Sequence, residues 1–223
     1  MSQRQAPTTL FVDFDGTIMK SDTAQIALDR FGNPNWMRID EALERGEVSF
    51  EDSLKLEFAT LRAPPEAIIQ EVSRKTGLRP NFDQLVEYCK ANHLTLKVLS
   101  GGLDFCIRHF LKRDDWLKFL TIYAPESRFT GNGYSLAFPR LLTSSSTNFK
   151  DDLVRREKED GTRVVFVADG FGDLPAAKES NFVFAIKGSR LAELCRQLNV
   201  PHDEIDDFNQ VVDALRHGIP QIQ

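Results

Sequence analysis

The sequence predicts an α/β fold in which a doubly wound parallel sheet carries an inserted helical cap domain and a small β-hairpin. Three short apolar runs, at Leu10 to Val12, Leu94 to Leu99 and Val164 to Ala168, each end on polar residues and glycine. Runs of this length that stop at a turn signal are typical of buried strands. Helical patterns separate the runs, and strands that alternate with helices favour a parallel sheet.

The predicted core elements follow in chain order. The first strand continues into Asp13, and a turn at Asp15-Gly16 ends it. Asn81 to Gln84 resembles a capping box, which predicts that a helix begins there before the second strand. The remaining core consists of a helix at Asp104 to Lys112, a strand at Phe119 to Tyr123, the strands at Val164 to Ala168 and Phe182 to Ile186, and helices at Ser189 to Leu198 and Phe208 to Arg216. Gly131-Asn132-Gly133 lies in the middle of Arg128 to Phe138, which predicts a β-hairpin.

The stretch from Ser21 to Arg79 interrupts the alternation, because it contains several helical patterns and no clear strand. Ser49 and Asp52 have the spacing of a helix start, and Pro64-Pro65 separates two helices. We therefore predict a catalytic core formed by residues 1–20 and 80–223, with a helical cap at 21–79.

Composition limits the function classes. The formal charge is −5, and no basic stripe suggests a nucleic-acid partner. The cysteines Cys89, Cys106 and Cys195 are odd in number and widely spaced, which favours reduced thiols and a cytoplasmic location. The polar opening residues predict no signal peptide, and no apolar run predicts a membrane span. A monomer and a homodimer both remain open.

Polar side chains follow three of the predicted strands. Asp13 and Asp15 follow the first, Ser100 the second, and Asp169 the third. Ligands of open parallel sheets bind outside the carboxyl ends of the strands, so we expect these side chains to share one crevice. There Asp13 has the chemistry of a nucleophile that would form an aspartyl phosphate, and Asp15 that of a general acid and base.

The same crevice predicts a Mg²⁺ site, because this ion prefers oxygen ligands. Asp13 and Asp169 are the principal predicted ligands, joined in the acidic set by Asp15 and Asp173. Ser100 and the backbone of Gly101 are predicted to contact phosphate oxygens. Lys150 is the predicted fixed positive charge, although Lys112, Lys118 and Lys158 are alternatives on the residues alone.

Four segments resemble, in order, the motifs of the haloacid dehalogenase-like hydrolase superfamily. They are Asp13 to Thr17, Val98 to Gly102, Lys150, and Ala168 to Asp173. The resemblance spans essentially the whole chain. It implies a Rossmann-like core, an Asp nucleophile, an acid/base Asp, a phosphate-binding Ser and Lys, acidic Mg²⁺ ligands and a small phosphorylated metabolite as substrate.

Within that superfamily the helical insertion resembles the phosphoserine phosphatase branch. Those enzymes typically carry an acidic residue at the position of Asp22, and an Arg that binds the substrate carboxylate at the position of Glu57. Glu57 would repel a carboxylate, which disfavours phosphoserine. Lys55 and Arg62 are possible compensating charges.

The methylthiopentenyl phosphate phosphatase of methionine salvage is similar in more places, including Trp36-Met37 and Gly101 to Phe105. This chain lacks the cysteine-rich stretch that often precedes the Lys motif in that family. A methylthio-ketose phosphate or a related sugar-like phosphate is the resulting substrate hypothesis. Asp22, Trp36 and Glu57 are candidate specificity residues, with Asp22 alternatively a helix N-cap and Trp36 alternatively part of the cap core.

Three alternative functions stay open at this point. A phosphoserine phosphatase would use the same crevice. A phosphomutase would pass the phosphoryl group from Asp13 to a sugar hydroxyl. A non-enzymatic phosphoacceptor module would also place an Asp at a strand end beside acidic metal ligands, but it would need neither Asp15 nor a cap.

Overall fold

Six parallel strands form the central sheet of the chain. A computed structural model describes residues 7–113 and 115–219, so the opening residues 1–6 lie outside the described part. The strand order is β3-β2-β1-β6-β7-β8. These strands are β1 Thr8–Val12, β2 Thr95–Leu99, β3 Thr121–Tyr123, β6 Arg163–Ala168, β7 Phe182–Ile186 and β8 His202–Ile205.

Strand β1 lies at the centre of the sheet, between β2 and β6. Because the chain proceeds from β1 to β2 on one side and later to β6 on the other, the strand order reverses at β1. Leu10 and Val12 pack into one hydrophobic core, whereas Phe11 packs into the core on the opposite face. This alternation follows from the two-residue period of a strand and requires helices on both faces.

Helices cover the two faces, as the sequence predicted. They are α1 Thr23–Phe31, α2 Met37–Glu44, α3 Phe50–Phe58, α4 Pro65–Lys75, α5 Phe82–Ala91, α6 Asp104–Leu111, α7 Trp116–Phe119, α8 Phe149–Glu159, α9 Leu174–Glu179, α10 Arg190–Leu198 and α11 Phe208–His217. The antiparallel pair β4 Glu126–Phe129 and β5 Tyr134–Ala137 forms the predicted hairpin. The α/β class, the parallel sheet and the hairpin are thereby confirmed.

Three local predictions were wrong. β8 was missed, because it is a short, half-exposed edge strand with the polar sequence His202-Asp-Glu-Ile. Phe119 ends helix α7 and does not begin β3. Helix α5 begins at Phe82 without a capping box, since Asn81 has a φ of +66° and its side chain accepts from Gln84 Nε2. A left-handed Asn at this position turns its side chain away from the backbone N–H groups that it would otherwise cap.

The segment predicted as a cap contains helices α1 to α4. Its two ends lie side by side, because Lys20 N donates to Gly77 O at 3.0 Å and Arg79 N donates to Ile18 O at 2.7 Å. Ser49 caps α3 as predicted, accepting from Asp52 N at 3.2 Å. The segment therefore leaves and re-enters the sheet region at one place, just after β1.

The three cysteines are free thiols buried in the hydrophobic cores. The prediction of reduced thiols therefore agrees with the structure. Within the described residues, none of the helices has the length and apolar character needed to cross a membrane.

Candidate active site

Asp13 follows the last residue of β1, at the point where the strand order reverses. Its backbone N donates to Val167 O at 2.8 Å, so β1 remains paired with β6 up to this residue. A tight turn over Phe14–Ile18 then redirects the chain, and Gly16 adopts a φ of +70°. A Cβ at Gly16 would lie 2.2 Å from Asp169 Oδ2, so only glycine allows these two segments to approach.

Lys150 lies between two of the predicted acidic residues. Its Nζ donates to Asp13 Oδ1 at 2.7 Å and to Asp173 Oδ1 at 2.6 Å, and the residue is only 3% exposed. Helix α8 holds it there through a capping box between Asn148 and Asp151. Burial disfavours the ammonium, but the charges of Asp13 and Asp173 outweigh burial and raise the pKa of Lys150. Lys150 therefore supplies a fixed positive charge.

Three carboxylates converge next to that ammonium. Asp13, Asp169 and Asp173 each place an oxygen within 4.8 Å of the others. Asp173 is held by Gly170 N at 2.9 Å, and Asp169 accepts from Thr17 Oγ1 at 2.7 Å. Burial and the charge of Asp173 raise the pKa of Asp169 to about 7. Burial also raises the pKa of Asp13, while the Lys150 ammonium acts in the opposite direction. Three carboxyl groups therefore share one lysine as their neighbouring cation.

Asp15 has a different environment from Asp13. Its Oδ1 accepts from Thr23 Oγ1 at 2.5 Å and from Thr23 N at 3.1 Å, and its Oδ2 accepts from Ser100 Oγ at 3.0 Å. Its side chain is not part of the acidic group around Lys150. Burial raises the pKa of Asp15, and the hydrogen bonds from Thr23 and Ser100 oppose that rise. Two neighbouring carboxyl groups are thus placed in distinct settings, as acid and nucleophile roles require.

Ser100 and its following glycines lie beside Asp15. Ser100 is fully buried, and its Oγ accepts from Gly102 N at 2.9 Å while it donates to Asp15. A Cβ at Gly102 would lie 2.2 Å from Asp15 Oδ2. Gly101 reaches the cavity described below, whereas the hydroxyl of Ser100 is turned toward Asp15.

A cavity of about 290 Å³ joins these groups to the helices of segment 21–79. Asp13, Asp15, Lys150, Asp169 and Asp173 line its inner end. The alternative lysines Lys112, Lys118 and Lys158 are absent from its lining among the described residues. The structure therefore brings the predicted catalytic and metal residues to one end of one cavity.

The candidate specificity residues line the same cavity. Asp22 caps α1 by accepting from Gln25 N at 2.9 Å, so it is both an N-cap and a cavity residue. Trp36 belongs to the hydrophobic core, donates from Nε1 to Asp29 Oδ1 at 3.1 Å, and also faces the cavity. Glu57 is 4% exposed and lies at the cavity wall. Asp22 is therefore both a helix N-cap and a cavity residue, and Trp36 is both a core residue and a cavity residue.

The compensating charges considered for Glu57 are engaged elsewhere. Lys55 Nζ binds Asp52 Oδ1 at 3.0 Å with a half-exposed side chain. Arg62 Nη1 donates to the carbonyl oxygens of Ala59, at 2.7 Å, and Asn132. Neither side chain lines the cavity.

Several residues of the site were not predicted. Thr23 binds Asp15, and Phe50 of α3 lies against Gly101 and Gly172 with its ring 5.6 Å from Lys150 Nζ. Arg79 donates to the carbonyl oxygens of Gly16 at 2.6 Å and Thr17 at 2.8 Å. No spacing in the sequence indicates these roles. Thr17 is the last residue of the motif that begins at Asp13. Its place in that motif is the sequence feature that could have indicated its bond to Asp169.

Comparisons with known proteins agree with this fold. The family model described as haloacid dehalogenase-like hydrolase matches residues 10–178. The 2-hydroxy-3-keto-5-methylthiopentenyl-1-phosphate phosphatase of Brevibacillus brevis is 28% identical over 212 residues, which is 93% of this chain and 94% of that protein. The protein of the same name from Geobacillus kaustophilus is 29% identical over 213 residues, with the same coverage of 93% and 94%.

Solved phosphoserine phosphatase structures share the fold. A structure described as a phospho-aspartyl intermediate analogue has a TM-score of 0.70 at 18% identity and covers 94% of this chain and 99% of its own. A substrate-bound complex has a TM-score of 0.66 at 16% identity, with coverage of 95% and 99%.

The fold, together with the phosphatase relatives, defines a phosphoric monoester hydrolase. The chain belongs to the haloacid dehalogenase-like hydrolase family. The open alternative of a non-enzymatic phosphoacceptor module is thereby excluded.

Proposed function

We propose that this phosphatase is Mg²⁺-dependent and hydrolyses a small phosphomonoester through an aspartyl phosphate on Asp13. The observation that carries the proposal is the contact of Lys150 with both Asp13 and Asp173 at the end of a cavity that also holds Asp15. A carboxylate beside a fixed cation is suited to approach a phosphate dianion.

The donor set fits a hard divalent cation. Asp13, Asp169 and Asp173 offer carboxylate oxygens within 4.8 Å of one another, and burial with their mutual charges raises the pKa values of Asp13 and Asp169. We assign Mg²⁺ to these three residues; the side chain of Asp15, which was also predicted as a ligand, lies outside this group and accepts from Thr23 and Ser100. When bound, the ion would neutralise charge on the transferring phosphoryl group.

The proposed reaction has two balanced steps. An oxygen of Asp13 attacks phosphorus, the bond from phosphorus to the leaving oxygen breaks, and Asp15 gives its proton to that oxygen. Asp15 then takes a proton from water, whose oxygen attacks phosphorus and displaces Asp13 as a carboxylate. We propose that the Gly101 backbone and Lys150 hold the phosphoryl oxygens, and that the Ser100 hydroxyl joins them when it leaves Asp15, to which it donates in this structure.

The direct test is phosphate release from p-nitrophenyl phosphate with and without Mg²⁺. We expect turnover only with Mg²⁺, and a loss of more than about 10³-fold in Asp13→Asn, because that variant lacks the attacking carboxylate. Asp83→Asn, an exposed site on α5, is the matched control and should retain activity. Undiminished release by Asp13→Asn would disprove the nucleophile assignment.

Segment 21–79 is proposed to be a cap that closes over the substrate, because Phe50, Asp22, Trp36 and Glu57 reach the cavity from it. A methylthio-ketose phosphate or a related sugar-like phosphate is the proposed substrate, supported by the names of relatives at 28% and 29% identity. A panel with phosphoserine and sugar phosphates tests this proposal. An isomerised sugar phosphate among the products would instead indicate a phosphomutase.

A further inference from the structure

The outer part of the cavity holds a second group of acidic residues, separate from the group around Lys150. Asp22 precedes α1, Asp40 lies on α2 and Glu57 lies on α3, and all three line the cavity. They come from three helices of segment 21–79. The proposed chemistry at Asp13 uses none of them.

Glu57 carries an unsatisfied buried acceptor. The residue is 4% exposed, and its Oε1 has no hydrogen-bond partner among the described residues. Burial and the charge of the neighbouring Asp40 raise the pKa of this carboxyl group. A buried polar atom without a partner costs stability, and an incoming hydrogen-bond donor would remove that cost.

The basic side chains that line the cavity in the described part of the chain bind other groups. Arg190 binds Glu44 at 2.9 Å and Glu193 at 2.6 Å. Lys150 is engaged at the inner end of the cavity. The acceptor on Glu57 therefore depends on something that enters the cavity.

A metal ion does not suit this second group. In the described part of the chain, the acidic residues whose oxygens all lie within 4.8 Å of one another are Asp13, Asp169 and Asp173. Asp22, Asp40 and Glu57 are spread more widely than one ion can bridge. An organic group with its own donor is the better match.

Apolar side chains line the cavity alongside these acids. They include Leu28, Leu43 and Leu54, together with the ring of Trp36. Such a wall accommodates the carbon atoms of a leaving group whose phosphate lies at Lys150. The polar end of that leaving group would then meet carboxyl groups.

We propose that Asp40 and Glu57 bind a hydrogen-bond donor on the leaving group, a hydroxyl or an ammonium, and that they reject leaving groups ending in a carboxylate. This inference rests on the proposed function for the identity of the cavity as the phosphomonoester site. It assigns substrate selection to two residues on separate helices. A carboxylate there would lose its hydration among buried carboxyl groups and would leave the acceptor unpaired.

The test uses n-alkyl phosphates of two to four carbons that end in a methyl, hydroxyl, ammonium or carboxylate group. With wild-type protein and Mg²⁺, kcat/KM for the hydroxyl or the ammonium series should exceed the methyl series by roughly tenfold or more, or about 1.4 kcal/mol. The carboxylate series should be the poorest. The better of the two donor series identifies which donor the site prefers.

Glu57→Met removes the acceptor with little change in side-chain length. The preference for the donor series over the methyl series should fall to within about threefold, whereas Glu57→Gln, which keeps a carbonyl acceptor, should retain part of it. Glu57→Arg should raise the relative rate of the carboxylate series. Asp40→Asn provides a second, less buried site and should also reduce the donor preference.

Glu41→Gln is the matched control, because Glu41 lies on α2 with its side chain 67% exposed. It should preserve the wild-type order of the four series. A methyl or carboxylate series that equals or exceeds both donor series in wild type would overturn the proposal. A donor preference unchanged in both Glu57→Met and Asp40→Asn would do the same.

The proposed function can fail separately. If wild type releases no phosphate from p-nitrophenyl phosphate, hydrolysis through Asp13 is disproved, and calorimetric binding of the four series still measures the preference. Donor-terminated phosphates that bind no better than methyl-terminated ones would then overturn the inference itself.

Discussion

Replacing Glu57 by glutamine should remove a pH dependence from the stability of the fold. Burial and the nearby charges of Asp40 and Asp22 raise the pKa of Glu57 from 4.5 to about 9. The folded protein therefore keeps a proton on this carboxyl group over a pH range in which the unfolded chain has lost it. Stability from Glu57 is full below the unfolded pKa and declines as the pH rises toward the folded pKa.

The size of the effect follows from linkage. One proton bound only in the folded state changes the free energy of unfolding by about 1.4 kcal/mol per pH unit. Between pH 6 and pH 8, both inside the window, wild type should lose up to about 2.7 kcal/mol that the glutamine variant does not lose. The charge of Asp40 acts on Glu57, so the two carboxyl groups titrate as a pair.

The assay is urea denaturation of wild type and Glu57→Gln at both pH values. Glu57→Gln should become more stable relative to wild type as the pH rises. The control Glu41→Gln removes an exposed carboxylate from α2, and its difference from wild type should change by less than about 0.5 kcal/mol. If the free energy of unfolding changes equally in wild type and Glu57→Gln between pH 6 and pH 8, the assignment of a buried, protonated carboxyl group is refuted.

Two further predictions concern the inner end of the cavity. Lys150→Met leaves the buried carboxylates of Asp13 and Asp173 unpaired, so without Mg²⁺ it should destabilise the fold by about 3–5 kcal/mol near pH 8. Denaturation near pH 5 should show a smaller loss, because burial raises the pKa of Asp13 and so favours its uncharged form there; an equal loss at both pH values would contradict the ion-pair explanation. Thr23→Val removes the hydroxyl that donates to Asp15 at 2.5 Å. We expect kcat to fall roughly tenfold and the apparent pKa of Asp15 in the pH profile of kcat to rise. A lower kcat with an unmoved profile would instead indicate a packing defect.

The inner end of the cavity could be predicted because topology determines it. Asp13, Ser100 and Asp169 each follow a buried apolar strand, and parallel strands bring their carboxyl ends to one edge. That argument needs no knowledge of loop conformation. It placed Asp13 and Asp169 in one crevice, with Ser100 beside Asp15, although they are separated by up to 156 positions along the chain.

The contacts of those residues were less predictable. The bond from Thr23 to Asp15 and the packing of Phe50 against Gly172 depend on how segment 21–79 sits on the sheet. Neither contact leaves a period or a turn signal in the sequence. The edge strand β8 was missed for a related reason, since half-exposed positions carry too little apolar patterning to indicate a strand.

Under the proposed function, reaction and substrate selection have different physical origins in this chain. The reacting groups lie at the ends of strands and around glycines such as Gly16, whose backbone angle and close approach to Asp169 leave little freedom. Asp40 and Glu57 are held only by the packing of short helices, so changing a side chain there alters the outer cavity without moving β1. A phosphatase built this way can change its leaving group while keeping its nucleophile, and the unpaired oxygen of Glu57 is where that difference should be measured first.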